Sequence, residues 1–387
     1  MIPPKKKSGS TRTHELSQDE NGTRSEMPRH RLIYEQLLSE IQSGVYKPGE
    51  RLPSEAILCE RFQASRITVA KAFQSLQREH LVSRRPGSGT YVEKPIQQDS
   101  LQFGLLILDL GTTDIFEPIC QGIMRSPAAK SHSLTWGNST AQAGDRVSSA
   151  ERLCQQYINQ NVAGVFFAPA EFADTRDEVN HRIAARLEQA GIPVVLLDRC
   201  FERYPERSNF DLVGIDNHRV GYLLTEHLIQ TGAKRIIFAM RKNPASTVEA
   251  RISGYRDALI ALQGGTIGVT VSGDFEDPKY VQKMIDKEKP DAIVCANDVT
   301  AARLMQTLIT MGIKIPGDIK MTGVDDVSYA KYLPTPLTTI RQDCAEIGAA
   351  AMAMMLDRLK HPKQAVRDVL MRAELVIRAS TMDPTAN

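Results

Sequence analysis

The sequence predicts a small helical domain followed by a large α/β domain with a mainly parallel sheet. Three observations support this prediction. Short amphipathic helix patterns and a basic hairpin pattern lie within 28–94, a short polar stretch follows at 95–101, and alternating strand and helix patterns occupy 102–387. Strands that alternate with helices are typical of parallel sheets covered on both faces. We therefore expect two domains joined by a linker.

Composition excludes several classes of protein. No run of 18 apolar residues occurs, so no membrane-spanning helix is predicted. The segment 1–27 is polar and lacks the apolar stretch of a secretory signal, so we expect a disordered tail. The six cysteines form no CxxC pair, which argues against a zinc site or a disulfide framework, so we expect a reducing compartment and hence a cytoplasmic protein. We expect neither a metal nor a cofactor.

The small domain contains three predicted helices and a hairpin. Gly44 supplies an end for the first helix, and Ser54 and Ser65 are placed to cap the second and third. The third helix has one apolar face, and its opposite face is polar apart from Ile67. The helices are predicted over 31–43, 55–62 and 66–80, and the strands over 81–85 and 90–92.

The third helix has side chains suited to the major groove of duplex DNA. Arg66 can bridge two acceptors of a guanine, Ile67 can contact a thymine methyl, and Thr68 can contact a base or a phosphate. Lys71 suits a phosphate, which positions the protein without specifying sequence. A solvated polar face is the alternative interpretation of this helix.

The basic hairpin favours the DNA interpretation. Gly87 and Gly89 at its tip let the backbone approach a narrow groove, and Arg84 and Arg85 can reach phosphates or the minor groove. Residues 28–94 contain 11 Lys and Arg against 7 Glu, which is the basic excess that phosphate contact requires. A helix and a basic hairpin together predict a double-stranded DNA partner.

Three motifs of this domain resemble the GntR-family winged helix-turn-helix: Pro48–Glu55, Ser65–Val69 and Arg84–Val92. The family usually has arginine where this chain has Ala70, so a base contact from that position is in doubt. Arg51 has a second interpretation, in which it only ties the turn between helices to Glu55. The resemblance implies DNA contacts from Arg51, Ser65, Arg66, Thr68 and the wing tip at Gly87, Ser88 and Gly89.

The large domain alternates strand and helix patterns and predicts two similar lobes of about four parallel strands each. Several strands are continuous apolar runs, as expected for strands buried on both faces. The predicted strands are 103–108, 133–136, 164–168, 193–197, 212–215, 235–240, 292–296 and 320–324. The predicted helices are 151–160, 177–190, 219–231, 247–263, 279–288 and 299–311.

Polar residues follow several of these strands and predict a ligand site. Ligands of such folds lie at the carboxyl ends of strands. Carboxylates, an amide and guanidinium groups together suit the hydroxyls of a polyol, which both donate and accept hydrogen bonds. Phe116 can stack on a sugar ring or belong to the core. Asp298 is assigned mainly to capping the helix that follows it. The expected binding residues are Phe116, Asp198, Arg199, Arg251, Asn297 and Asp325.

A second resemblance covers about 103–381. Val194–Arg199, Asp216–Gly221, Ala250–Tyr255, Ala296–Asp298 and Gly323–Asp326 resemble the effector domain of LacI-family regulators, itself similar to periplasmic sugar-binding proteins. The resemblance implies ligand contacts from Asp198, Arg251, Asn297 and Asp325, often with Arg199. A GntR-type domain joined to a LacI-type effector domain resembles arabinose repressors of the AraR type.

The two resemblances together imply a homodimeric repressor that leaves operator DNA when a sugar-like effector binds. Two alternatives stay open: a sugar-binding protein without a regulatory role, and a regulator that responds to a purine or a phosphosugar. No GxSxG, HExxH or phosphate-binding glycine motif occurs, so no enzyme is expected. First-lobe contacts near 109–116 and 137–139 are expected to discriminate between effectors.

Overall fold

The computed structural model describes residues 28–79, 81–93, 100–107, 114–137, 146–171, 175–265 and 267–382. Its contacts divide the chain into two compact units, Met1–Gln98 and Asp99–Asn387. The predicted tail at 1–27 and most of the predicted linker at 95–101 lie outside the described residues. Within the described part of the chain, no helix is long and apolar enough to cross a membrane.

The first unit packs three helices against an antiparallel hairpin. Its elements are α1 (Arg29–Gln42), α2 (Glu55–Phe62), α3 (Arg66–Arg78), β1 (Val82–Arg85) and β2 (Gly89–Val92). The hydroxyl of Ser54 accepts a hydrogen bond from the N–H of Ile57, and the hydroxyl of Ser65 accepts one from Thr68, so both predicted caps form. The apolar faces close over one core, which includes Ile33, Leu37, Leu58, Val69, Leu76 and Val82.

The second unit contains two lobes, each built on a six-stranded sheet. The strands are β3 (Gln102–Ile107), β4 (Ser133–Trp136), β5 (Gly164–Ala168), β6 (Val194–Leu197), β7 (Asp211–Ile215), β8 (Ile236–Met240), β9 (Val269–Ser272), β10 (Ala292–Cys295), β11 (Lys320–Asp325), β12 (Thr338–Arg341), β13 (Asp368–Met371) and β14 (Glu374–Val376). The first sheet is parallel, in the order β13-β7-β6-β5-β3-β4. The second has the order β14-β12-β11-β10-β8-β9 and is parallel except for β14.

Helices cover both sheets, and the chain passes between the lobes three times. The helices are α4 (Phe116–Arg125), α5 (Arg146–Asn159), α6 (Arg176–Gln189), α7 (Asn217–Gln230), α8 (Ser246–Leu262), α9 (Pro278–Glu288), α10 (Asp298–Thr310) and α11 (Cys344–Lys360). The crossings follow β7, β12 and β13, and helices α7 and α11 each pack on the lobe that they enter. Short connections of this kind form a hinge between two lobes.

One close helix pair in each lobe depends on glycine. In the second lobe, a Cβ atom at Gly254 on α8 would lie 1.8 Å from the carbonyl oxygen of His218 on α7. In the first lobe, a Cβ atom at Gly348 on α11 would lie 2.1 Å from the carbonyl oxygen of Ile119 on α4. The helix backbones therefore pack in direct contact, which a larger residue would prevent.

The mainly parallel two-lobed α/β class is confirmed, but the prediction of about four strands per lobe is wrong. Sequence analysis missed β9, β12, β13, β14, α4 and α11. Strands β9, β13 and β14 are at the sheet edges and only partly buried, so they lack the long apolar runs that identify central strands. Helix α5 also begins five residues before its predicted start.

Candidate DNA interface and effector site

The N-terminal end of α3 presents an exposed polar surface. The side chain of Ser65 caps the helix, and its oxygen lies 2.8 Å from the hydroxyl of Thr68. Arg66 is exposed, and the Ile67 side chain is 71% exposed although it is apolar. Lys71 is exposed one turn further along. An exposed helix N-terminus with unpaired backbone N–H groups attracts phosphate oxygens.

The hairpin places basic and hydroxyl groups at its tip. The guanidinium carbon of Arg85 lies 4.6 Å from the ring centroid of Tyr91. The hydroxyl oxygen of Tyr91 lies 2.6 Å from the side-chain hydroxyl oxygen of Ser88. Both tip glycines, Gly87 and Gly89, have positive φ, at 73° and 122°. These backbone conformations favour glycine, as expected for the tip of a tight hairpin.

The alternative role of Arg51, a pair with Glu55, does not agree with the structure. Glu55 pairs instead with Arg84, at 3.2 Å between Nη2 and Oε1. Arg51 forms a backbone bridge with Tyr91, and its Nε would lie 2.5 Å from a Cβ atom at Gly89. The side chain of Arg51 thus crosses the wing beside its tip. Arg84 remains mostly exposed while it connects the wing to α2.

A cleft at the carboxyl ends of the strands of the second unit brings most predicted effector residues together. The cavity is narrow and opens to solvent at its mouth. Residues of both lobes line it, as expected for a ligand site of a two-lobed α/β fold. Its lining contains Ile115, Glu171, Asp198, Arg199, Arg241, Pro244, Thr247, Val248, Arg251, Ala296, Asn297, Thr300 and Asp325.

Asp198 and Arg199 follow β6 directly and are almost completely buried. Arg199 Nε donates to Asp198 Oδ2 at 3.0 Å, and Arg199 Nη1 lies 2.9 Å from Glu171 Oε1. The other carboxylate oxygen of Asp198 is buried and has no hydrogen-bond partner among the described residues. A buried acceptor of this kind is unfavourable until a donor reaches it. Asp198 also has a φ of 69°, in the left-handed region that side chains rarely adopt.

Arg251 is buried on the first turns of α8 and is held by two acceptors. Its Nε donates to Asn217 Oδ1 at 2.8 Å, and its Nη1 donates to the carbonyl of Ala296 at 2.6 Å. Asn217 is the first residue of α7, which follows a crossing between the lobes. The guanidinium is therefore oriented by the hinge and by the end of β10.

Asp325 ends β11 on the second lobe and has a φ of 115°. Its Oδ1 accepts a hydrogen bond from Gln342 Nε2 at 2.7 Å, and Gln342 lies at the next crossing between the lobes. Burial raises the pKa of Asp325 to about 7, because the opposing effect of the Arg251 charge is partly cancelled by the carboxylates of Asp198 and Glu171. Carboxylates from both lobes therefore share one electrostatic environment.

The capping role predicted for Asp298 needs correction. Asn297, not Asp298, caps α10, since its Oδ1 accepts from the N–H of Thr300 at 2.9 Å. Asp298 is fully buried and instead accepts hydrogen bonds from Val327 N–H and from the Thr339 hydroxyl. Burial raises the pKa of Asp298 well above its usual range. A cap position is set by the backbone at the strand end, which the sequence alone did not resolve.

Phe116 does not line the cavity. Its ring is 1% exposed and packs in the core at the start of α4, with the Arg199 guanidinium carbon 5.2 Å from its centroid. Arg199 therefore covers the face that we expected to stack on a sugar. The expected contacts at 109–113 and at 138–139 lie outside the described residues.

Two hydrogen bonds join the lobes beside the cavity. Ser246 at the start of α8 donates to the carbonyl of Cys200 at 2.6 Å. Arg176 at the start of α6 donates to the carbonyl of Pro244. Each contact joins the start of a helix in one lobe to a loop carbonyl of the other lobe, so both favour an arrangement in which the lobes are closed.

Sequence analysis missed Glu171, Arg241, Thr247 and Gln342. Glu171 comes shortly after β5, and Arg241 comes directly after β8. The rule that identified Asp198, polar residues just beyond a buried strand, would have identified both had it been applied to every strand. Among the described residues, no group of three or more His, Cys, Asp and Glu side chains could hold a metal ion.

Comparisons with known proteins match both units. Residues 30–92 match the family model of the bacterial regulatory proteins of the gntR family, and 225–381 match that of the periplasmic binding protein-like domain. The arabinose metabolism transcriptional repressor of Geobacillus stearothermophilus is 27% identical over 371 residues, which are 92% of this chain and 98% of that protein. The similarity therefore extends through both domains in the same order.

Two further relatives match a part of this chain. The ribose operon repressor of Haemophilus influenzae is 32% identical over 206 residues, which are 51% of this chain and 60% of that protein. A LacI family transcriptional regulator of Enterococcus faecium, solved with bound ribose, has a TM-score of 0.58 and 23% identity over 72% of this chain and 98% of its own. The chain thus contains a domain similar to the bacterial regulatory proteins of the gntR family and, after it, a domain similar to the periplasmic binding protein-like domain.

Proposed function

We propose that this protein is a repressor that binds operator DNA as a homodimer and leaves it when a small carbohydrate occupies the cleft of its second unit. The domains in this proposal are 28–94 for DNA and 102–387 for the effector and for dimerisation. Two winged helices in a symmetric dimer suit two half-sites of an operator. Such a protein acts in the cytoplasm, where bacterial DNA lies.

The observation that best supports an effector is the unsatisfied carboxylate oxygen of Asp198. It is buried in the lining of the cleft, and Asp325 of the other lobe is near enough for its pKa to respond to that charge. A hydroxyl of a sugar can donate to such an oxygen, and a second hydroxyl can reach the opposite lobe. The ligand would then bind the closed arrangement more tightly than an open one, which is the requirement for coupling.

The relatives suggest which carbohydrates to test. One is named for arabinose metabolism, another for the ribose operon, and a solved structure contains ribose. Asp198, Arg199, Arg251, Asn297 and Asp325 would hold the sugar through charge-assisted hydrogen bonds. Phe116 would support the site from below Arg199.

On the DNA side, the first turn of α3 would enter the major groove and the wing would follow the backbone into the minor groove. Arg66, Ile67 and Thr68 would contact bases, and Ser65 and Lys71 would contact phosphates. The wing residues proposed for contact are Arg51, Arg84, Arg85, Gly87, Ser88 and Gly89.

Operator binding with and without sugars tests the proposal. A preferred duplex is first selected from random DNA, and its affinity is then measured by fluorescence anisotropy at one fixed salt concentration, because salt alone changes such affinities. We expect one neutral pentose to weaken DNA binding at least about tenfold. Equal DNA affinity with every sugar of the panel would reject the coupling. Absence of any selected sequence would reject the role of the first unit.

We also propose that the cleft binds its ligand without changing it. Incubation of the protein with the sugar that releases DNA, followed by mass spectrometry of the small molecules, should return that sugar alone. A new product formed in molar excess over the protein would show that the protein catalyses a reaction of the sugar.

A further inference from the structure

Glu171 is an almost buried carboxylate that lies just beyond β5. Its side chain is 6% exposed, and the Arg199 side chain with which it pairs is 4% exposed. The Glu171 Oε1 to Arg199 Nη1 distance is 2.9 Å. Removing two charges from water in this way is unfavourable unless each has a partner, so the pair is a built feature of the cleft wall.

Arg199 is shared between two carboxylates. Asp198 Oδ2 accepts from its Nε at 3.0 Å while Glu171 lies at its Nη1. The Phe116 ring supports the guanidinium at 5.2 Å. One positive charge therefore faces two negative charges, and Arg199 is already engaged before any ligand enters.

The cleft lining contains both acidic and basic side chains. Among the described residues these are three carboxyl groups (Glu171, Asp198 and Asp325) and three guanidinium groups (Arg199, Arg241 and Arg251). Arg251 donates to Asn217 and to the carbonyl of Ala296, so it too is engaged. One buried acceptor of this lining, Oδ1 of Asp198, has no hydrogen-bond partner among the described residues. A hydroxyl of a neutral ligand can donate to it.

We propose that Glu171 makes the cleft selective for uncharged polyhydroxy ligands, because it neutralises Arg199 and so excludes phosphorylated and carboxylated sugars. This inference rests on the proposed function and specifies its effector class. An anion would have to displace Glu171 from Arg199 and would lie near two further carboxylates. Like charges brought together in this way disfavour binding of the anionic ligand.

The test compares neutral and anionic pentose derivatives in wild-type protein and in Glu171→Gln. Isothermal titration calorimetry at one pH and salt gives the dissociation constants of L-arabinose, D-ribose, D-ribose 5-phosphate and D-ribonate. We expect wild-type protein to bind a neutral pentose at least about tenfold tighter than either anion. Glutamine keeps an acceptor oxygen and the shape of the side chain but removes its negative charge. Glu171→Gln should therefore reduce the ratio of the anion's dissociation constant to that of the neutral sugar about tenfold, while the neutral sugar still binds.

Matched variants separate charge from shape. Glu151→Gln removes a carboxylate of the same lobe that pairs with Arg182 and does not line the cleft, so the ratio should stay at its wild-type value. The double variant Glu171→Gln with Arg199→Gln removes both charges, so the preference for neutral sugars should return. This double variant also tests the proposal if Glu171→Gln alone does not fold.

Three outcomes would overturn the inference: tighter binding of an anion by wild-type protein, an unchanged ratio in Glu171→Gln with full folding, or no binding of any of the four compounds. Operator affinity, measured in parallel, separates this failure from that of the proposed function. Release of DNA from wild-type protein by ribose 5-phosphate would support the proposed regulator but contradict the role of Glu171. Failure of wild-type protein to bind any selected DNA would contradict the proposed function itself.

Discussion

The DNA-binding surface and the effector cleft are built in opposite ways. The first takes its residues from one continuous stretch of chain, 51–89, and leaves most of them exposed. The second takes residues from strand and helix ends that are spread along the chain between 115 and 325, and buries most of them. A local, exposed surface depends on turn and cap chemistry, whereas a buried cleft depends on how distant elements meet. Substitutions should therefore separate the two functions.

The largest effect that separates the two sites is expected for Asp198→Ala. It removes a buried charged acceptor and leaves Arg199 with Glu171 alone, so we expect the affinity for the sugar that releases wild-type protein to fall about 100-fold. Operator affinity without sugar should stay within about twofold. Asp286→Ala, on the surface of α9, is the control. Loss of DNA binding together with sugar binding would show that the two sites are not separable.

The reverse separation is expected for Arg66→Ala. A bidentate contact to guanine contributes about 1–3 kcal/mol, so operator affinity should fall about 5- to 150-fold and one base preference should relax. Sugar affinity should not change, because Arg66 lies in the other unit. Arg31→Ala, which removes an exposed arginine paired with Glu35 on α1, serves as the comparison. Selection of the wild-type operator by Arg66→Ala would remove this residue from base recognition.

A smaller effect is expected from pH. The pKa of Asp325 is about 7 in the empty cleft, and sugar hydroxyls that donate to its carboxylate would lower it. Sugar affinity should therefore rise about tenfold between pH 6 and pH 8, as the ionised form becomes available. The same raised pKa means that the folded protein binds more protons than the unfolded chain, so this group lowers stability as pH rises from about 4 to 7.

Titration calorimetry at three pH values measures this dependence. Asp325→Asn cannot ionise, so its weaker sugar affinity should not vary over the same range. An equal change of sugar affinity with pH in both proteins would mean that a group other than Asp325 titrates.

The smallest effect concerns the contacts between the lobes. Ser246→Ala removes one hydrogen bond that favours closure, worth about 1 kcal/mol, so sugar affinity should fall about fivefold and operator affinity should not. Thr310→Ala removes a hydroxyl that bonds within α10 and controls for a simple loss of stability. Stronger sugar binding by Ser246→Ala would mean that the contact opposes the liganded arrangement.

Particular residues show how far sequence could go. The caps at Ser54 and Ser65 and the glycines of the wing tip were predictable, because each depends on a few neighbouring residues. Asp198 and Asp325 were predictable from one rule, that ligands lie beyond the carboxyl ends of parallel strands. Phe116 and Asp298 show the limit, since a ring and a carboxylate take their roles from neighbours that are distant along the chain.

The sequence by itself determined the order of the two domains, the α/β class and the residues that begin and end most central elements. Periodicity, caps and turn residues are local, and local chemistry is sufficient for these features. Only the tertiary structure placed Glu171 against Arg199, joined Gln342 to Asp325 and covered Phe116. Those contacts join residues up to 83 positions apart, and their energy depends on burial and charge that arise only when distant segments of the chain fold together.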